Sequence, residues 1–407
     1  FNLITGLIKP DFGIISIGST KVNDYPIYLR TKKFKIGYVP QHGGYFHDFL
    51  DNGVVENKLV KHLVGTCRFI YIYSVSYITT GNKEYLKSAQ HGMKFLKNVH
   101  KQFNGGFSWL LNGDKILDNT MYCYGHAFVL LAASIYKKAN INKSSEFITE
   151  IYNLLENRFW DDSKRLYVDE IKNNWSEIDP YRGQNANMHM CEAMLSSYEA
   201  TKEDKYLDRA YLLAKRVCLD LTEDTGGLIW EHFTEDWTPD WNYNADDPKH
   251  MFKPYGYNLG HSIEWAKLLI ILERYRPESW MIEKAEELYA KSMEKSWDNT
   301  NKGMIYTLTP DGEILDTDRY YWVLCEAFAA SALLGLRTDN NKYWGWYEKI
   351  WNYSNKYFID HEYGGWYRVL NKNNQKYSNI KSPPSKSDYH PIGACFEILE
   401  AMRLNDN

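Results

Sequence analysis

The chain has little of what marks several protein classes. No uninterrupted run of about 18 apolar residues occurs, so no transmembrane helix is expected. Even the apolar opening FNLITGLIKPDFGIISIG is broken by Lys9, Pro10 and Asp11. Charge of one sign is missing too: 48 Lys plus Arg face 52 Asp plus Glu, a net charge of −4. That balance argues against nucleic acid or an anionic membrane surface as the main partner. Low-complexity tracts are absent and 16% of residues are aromatic, which argues against disorder. The opening residues lack the basic start and small-residue cleavage site of a signal peptide, and the expected location is cytoplasmic. The six cysteines, at 67, 123, 191, 218, 325 and 395, form no CxxC pair. Five of them fall in apolar, helical-looking stretches, as buried free thiols of a reducing compartment do; no structural zinc is expected. HExxH, a P-loop and a dinucleotide-binding GxGxxG are also absent.

What the chain does have is a repeat. A glycine pair followed by an aromatic or apolar residue appears as HGGYF (42–46), NGGFSW (104–109), TGGLIW (225–230) and YGGWY (363–367). Weaker copies, DDSKRLY (161–167) and NKGMIY (301–306), fill the gaps and give six units of roughly sixty residues. Between them, apolar stretches such as AFVLLAASIYKKA (127–139) and YWVLCEAFAASALLGL (321–336) alternate with more polar helical ones such as KYLDRAYLLAKRV (205–217). One apolar and one amphipathic helix per unit predicts an inner and an outer ring. The glycine motifs predict short hairpins or loops at one end. The expected fold is all-α, an (α/α)6 barrel of six helical hairpins, in preference to an open solenoid. It is expected over residues 41–407 as a single domain, with residues 1–40 an atypical N-terminal segment.

Four segments concentrate chemistry. Arg68 stands alone in an apolar helix, where an unpaired guanidinium costs several kcal/mol; a structural ion pair and a ligand contact are equally open readings. In RGQNANMH (182–189), Asn185 and His189 share a face if the helix covers both, and such groups suit a hydroxyl-rich ligand. In FKPYGYNLGHSIEW (252–265), His261 sits at a helix mouth with Glu264 one turn on. In SDYHPIGAC (387–395), His390 again stands before a helix, with Pro391 expected at its first position and Asp388 as orienter or cap. His62 and His126 fall on inner helices as possible supporting members, whereas His91 and His100 belong to a polar helix and His232, His250 and His361 to loops.

These segments, with YYWVLCEA at 320–327, resemble in order and spacing the motifs of the N-acylglucosamine 2-epimerase superfamily, over about residues 41–404. The lead-in FKPYG before GHSIEW resembles the D-mannose isomerase, mannose 2-epimerase and sulfoquinovose isomerase branch. The resemblance implies an isomerase with His261 and His390 as the acid/base pair. It also implies a sugar site lined by Arg68, Tyr124, Asn185, His189, Glu264, Trp322 and Glu326, to which Asp388 is added here. His126 departs from the pattern, which usually has glutamine, and KPDFGIISIGSTKVNDYPIYLR (9–30) departs from the family's acidic, aromatic first helix.

Histidine suits this chemistry because, with an ordinary pKa of about 6.5, it both takes and returns protons near neutrality. After ring opening, loss of the C2 proton of an aldose gives a cis-enediol. Proton return at C1 yields a ketose, and return to the opposite face of C2 yields the epimer. Arg68 would stabilise negative charge on O1 or O2, Trp322 would offer a flat face, and Glu264 and Glu326 would fix imidazole tautomers or bind hydroxyls. D-mannose to D-fructose is the first-choice reaction and D-mannose to D-glucose the second, with N-acylglucosamine or cellobiose 2-epimerisation behind. The rival from another class is a glycoside hydrolase on the same barrel, built from two of Glu264, Glu326 and Asp388, which leaves both histidines without a role. A sugar-binding barrel without turnover is a third reading. No cofactor or metal is expected, and the expected partner is a free monosaccharide, bound by a monomer or homodimer. The Trp- and Asp-rich stretch at 235–250 is expected to help set substrate choice.

Overall fold

The apolar stretches and the polar ones form separate layers. The computed structural model describes residues 16–17, 20–21, 23, 43–383 and 385–405. The reading of residues 1–40 therefore lies outside the described residues, except for a short pairing of Ser16–Ile17 with Thr20–Lys21. Eleven α-helices occur among the described residues: α1 (Leu63–Thr80), α2 (Lys83–Phe95), α3 (Cys123–Ala139), α4 (Glu146–Arg158), α5 (Gln184–Thr201), α6 (Asp204–Cys218), α7 (Leu259–Glu273), α8 (Ser279–Ser296), α9 (Tyr321–Thr338), α10 (Asn341–Tyr357) and α11 (Tyr389–Asn405).

The odd-numbered helices pack side by side, and α11 returns to α1, closing a ring of six. Each even-numbered helix packs outside the odd-numbered one before it, as the two-ring pattern predicts. Every residue of α7 is buried, as expected of a helix that is apolar nearly all round. Outer α6 instead buries one face, formed by Tyr206, Leu207, Ala210, Leu213, Ala214 and Val217. Fully burying each large apolar side chain contributes about 1.5–3 kcal/mol, so the core between the rings dominates the stability.

Short strands fix which end of the barrel carries the chemistry. Helices α1, α3, α5, α7 and α9 each begin directly after a strand of two or three residues: Val60–His62, Met121–Tyr122, Arg182–Gly183, Tyr257–Asn258 and Arg319–Tyr320. Each strand pairs antiparallel with one from the following unit, for example Gly183 with His232 and Asn258 with Thr307. These inner helices therefore start at the same end. Two carry side-chain caps: His62 Nδ1 accepts from the Val64 N–H at 3.1 Å, and Asn258 Oδ1 accepts from the Gly260 N–H at 3.1 Å.

The repeat motif lies where the chain turns back after each outer helix. Bridges Lys101–Phe107, Trp297–Met304 and Ile359–Trp366 close these turns, with Gly105 (φ 89°), Gly303 (81°) and Gly364 (85°) in the left-handed region. No helix among the described residues is long and apolar enough to cross a membrane. Cys67, Cys123, Cys191, Cys218 and Cys325 are buried free thiols, and Cys395 is exposed.

Candidate active site

The first six residues of each inner helix supply the walls of one cavity. Arg68 comes from α1, Tyr124 from α3, Asn185 and His189 from α5, His261 and Glu264 from α7, Trp322 from α9 and His390 from α11. Met251, Phe252, Pro254, Tyr306 and Lys386 complete the lining from loops. The start of α7 at Leu259, set by the Asn258 cap, places His261 inside the first turn. Likewise α11 starts at Tyr389, so Pro391 is its third residue and not its first.

Three histidine–carboxylate dyads converge here. His390 Nδ1 bonds Glu326 Oε1 at 2.7 Å, His261 Nδ1 bonds Glu231 Oε2 at 2.9 Å, and His189 Nδ1 bonds Glu192 Oε2 at 2.9 Å. All six residues but Glu192 are nearly devoid of solvent exposure. Each carboxylate has a second partner: Glu326 pairs with the Lys267 ammonium, Glu192 accepts from the Tyr389 hydroxyl, and Glu231 accepts from Gln184 Nε2 at 2.9 Å. The Trp322 indole lies between the two outer imidazoles, with ring centroids 4.9 Å from His261 and 5.7 Å from His390.

These partners set the protonation states. Burial pushes the Glu326 carboxyl up, but Lys267 and His390 outweigh it and bring it down to about 2. Burial holds the His390 imidazole down at about 3, so it is neutral at physiological pH. Glu264 behaves oppositely: burial, together with the neighbouring Glu326 and Glu192 carboxylates, raises it well above the usual range. Neither Glu264 oxygen has a protein hydrogen-bond partner, and a protonated carboxyl facing the cavity is a hydrogen-bond donor. Lys386 lies in the cavity wall with no carboxylate in ion-pair distance among the described residues; burial, Arg68 and Arg368 bring its ammonium down to about 7.

Arg68 stands in the cavity wall. No carboxylate lies within ion-pair distance of it among the described residues; it donates to Ser385 O at 3.0 Å and to the Tyr124 hydroxyl at 3.2 Å. Its guanidinium stacks over Phe128 and Tyr389, and its Nε has no partner. Asn185 Oδ1 is likewise buried without a partner. Such orphaned groups are costly unless a ligand rich in hydroxyls satisfies them.

One expectation needs correction. Asp388 does not line the cavity: its carboxylate accepts from Arg368 Nη1 at 2.7 Å, because the salt bridge draws it to the 368–370 strand region. Of the two roles open to Glu264, fixing an imidazole or binding hydroxyls, the first is not met at His261, whose Nδ1 is taken by Glu231 from the neighbouring hairpin. Other histidines are structural: His126 bonds Tyr122 O and the Phe107 N–H, and His100, buried and not on a polar face, bonds Thr66 and Ser108 O. His232 is also buried, in a strand, between Tyr181 and Pro254 O.

Sequence reasoning missed Glu231, Glu192, Lys267 and Lys386. A signal existed for two of them: Lys267 is a lone cation in the apolar run EWAKLLIIL, and Glu192 lies three residues after His189 on one helix. The 235–250 stretch contributes Tyr243, Asn244 and His250 to an adjoining chamber that shares Tyr124, Asn185 and Phe252 with the cavity. Donor atoms of His189, Glu192 and Glu264, and of Glu264, Glu326 and His390, lie within 4.8 Å of one another and could hold a cation. Glu192 and Glu326 are already engaged by imidazoles, and Lys267 adds opposing charge beside Glu326, so bonding and electrostatics at these two carboxylates favour dyads over an ion.

The N-acylglucosamine 2-epimerase (GlcNAc 2-epimerase) family pattern matches residues 44–394. The chain belongs to this family. It is 45% identical over 363 residues to the D-mannose isomerase of Marinomonas mediterranea, covering 89% of this chain and 92% of that protein. It is 32% identical to the D-mannose isomerase of Thermobifida fusca, covering 90% and 88%. A crystal structure of D-mannose isomerase superposes with a TM-score of 0.88 at 44% identity, over 89% of this chain and 93% of the other. The cellobiose 2-epimerase of Spirochaeta thermophila, at 21% identity and a TM-score of 0.80 over 91% and 92%, shares the (α/α)6-barrel fold. Membership of the N-acylglucosamine 2-epimerase family makes this protein a sugar isomerase/epimerase.

Proposed function

We propose that the protein interconverts D-mannose and D-fructose through a cis-enediol, with His390 and His261 as its acid/base groups. The observation that carries this reading is the pair of carboxylate-anchored imidazoles facing one cavity across Trp322. Substrate choice within the class rests on the likeness to the D-mannose isomerases.

In this scheme His390 is the base at carbon. It is neutral, its Nδ1–H is fixed on Glu326, and its Nε2 lone pair is free to take the C2 proton of the open-chain aldose. The imidazolium formed is stabilised by the ionised Glu326, and the same proton or one exchanged from solvent returns to C1. His261 serves the oxygens: it assists ring opening and passes a proton between O1 and O2. The protonated Glu264 donates to an oxygen of the substrate. Negative charge developing on O1 or O2 meets Arg68 and the positive ends of the inner helices that start at this cavity.

A glycoside hydrolase is disfavoured by the same geometry, since Glu326 is committed to Lys267 and His390, and Asp388 to Arg368. The test is a comparison of two substrates. Free D-mannose should yield ketose in a colorimetric assay, and p-nitrophenyl α-D-mannoside should remain intact; release of nitrophenol without ketose would overturn the reading.

A further inference from the structure

The three dyads differ in one respect that the roles proposed above do not use. Glu326 belongs to a helix of the inner ring and is held by a cation, whereas Glu231 lies in the hairpin segment just before the His232–Phe233 strand and, among the described residues, accepts from the Gln184 amide and the His261 imidazole. Its Oε2 accepts both from His261 Nδ1 and from Gln184 Nε2, each at 2.9 Å, and its backbone carbonyl accepts from the Gln184 N–H at 3.2 Å. Gln184 is fixed in turn, because its Oε1 accepts from the Trp265 indole N–H at 2.7 Å. Glu231, Gln184, Trp265 and His261 are all buried, and Glu231 Oε1 has no partner. Three elements, the start of α5, the start of α7 and the strand between them, are thus tied through one carboxylate oxygen.

From this geometry we infer that Glu231 is a positioning residue that fixes His261 as its Nδ1–H tautomer, leaving Nε2 to face the substrate as the proton-transferring atom. The argument is one of donor and acceptor supply. Gln184 has spent its oxygen on Trp265, so only its amide N–H groups can reach Glu231, and they can only donate. Glu231 must therefore act as acceptor towards Gln184, and its Oε2 offers His261 an acceptor as well. A neutral imidazole meeting an acceptor at Nδ1 carries its proton there, and its Nε2 is then a lone pair. When Nε2 receives a proton, the cation is stabilised by the carboxylate 2.9 Å away.

The inference rests on the proposed role of His261, and the two can fail separately. Glu231→Leu removes the acceptor that both Gln184 and His261 use, whereas an amide would keep its oxygen there to accept from Gln184. We expect kcat to fall in Glu231→Leu by roughly 10²- to 10⁴-fold, the range that loss of the tautomer-fixing carboxylate costs, with KM within about threefold of the parent. ¹⁵N NMR of the histidine rings should show protonated Nδ1 at His261 in the parent and loss of that preference in Glu231→Leu. Glu231→Asp, which keeps the acceptor, should recover part of the lost kcat. If Glu231→Leu keeps full kcat while His261→Ala is dead, the positioning role is wrong and the role of His261 stands. If His261→Ala is active, the proposed role of His261 is itself wrong. If Glu231→Leu does not fold, the parent spectrum decides: an Nε2–H, Nδ1-bare His261 overturns the inference.

Discussion

His390 and Lys267 share one carboxylate: Glu326 accepts from His390 Nδ1 at 2.7 Å through Oε1 and pairs with the Lys267 ammonium through Oε2. All three side chains are buried, so the cation does more than neutralise. It keeps Glu326 ionised against the penalty of burial, and in the proposed scheme an ionised Glu326 is what would let His390 accept a proton during turnover. Lys267→Met should strand that charge and cost roughly 3–5 kcal/mol of stability, read by denaturant unfolding. It should also lower kcat by roughly 10- to 100-fold, as loss of a supporting partner typically does.

His390→Ala and His261→Ala should each abolish turnover of D-mannose while leaving the circular dichroism spectrum and melting profile close to those of the parent. Either variant retaining near-full activity would remove the two-imidazole mechanism.

Glu264 lowers stability as pH rises. Its folded-state pKa is raised, so the folded state holds a proton that the unfolded chain releases above about 4.5, its ordinary value. Stability is therefore unaffected below that pH and is lost as pH rises from there towards the folded-state value. Glu264→Gln removes the titration. The variant should melt at the same temperature as the parent at pH 4 and at a higher one at pH 7, with kcat lower by roughly 10²-fold or more if the acid donates to substrate. Equal melting at both pH values would show that Glu264 is not a protonated buried acid.

Lys386 gives a pH dependence of binding. Burial, with Arg68 and Arg368 nearby, brings its ammonium down to about 7 in the free enzyme. It loses its charge as pH rises through that value, which weakens the hydrogen bonds it would donate to substrate hydroxyls in the proposed complex. KM for D-mannose should therefore rise above pH 7 in the parent and stay flat across the same range in Lys386→Met, measured by initial rates from pH 6 to 9.

The fold was legible in the sequence because its signals are local. The glycine motif recurs where each outer helix ends, and helices such as α7 and α6 differ in how far their apolar residues wrap. His261 and His390 stood out because Gly260 and Pro391 mark helix starts beside them. Their partners were not local: Glu231 is 30 residues from His261 and Glu326 is 64 from His390. Glu231 looks like any acidic residue in a hairpin until the Gly183–His232 pairing brings it beside α7. For Glu264 spacing left two roles open: one turn from His261 puts both on one face, and only the fold shows that His261 Nδ1 bonds Glu231 instead. Asp388 precedes a helix as a cap would, and only the fold shows Arg368 taking its carboxylate.

The most direct test of the central claim is proton NMR of the purified protein with D-mannose in heavy water. Proton removal at C2 and return at C1 predict D-fructose, carrying deuterium at C1 to the extent that the abstracted proton exchanges with solvent, with the mannose C2 proton signal falling as it forms. Unchanged D-mannose, or deuterated D-glucose without D-fructose, would contradict the proposed isomerisation.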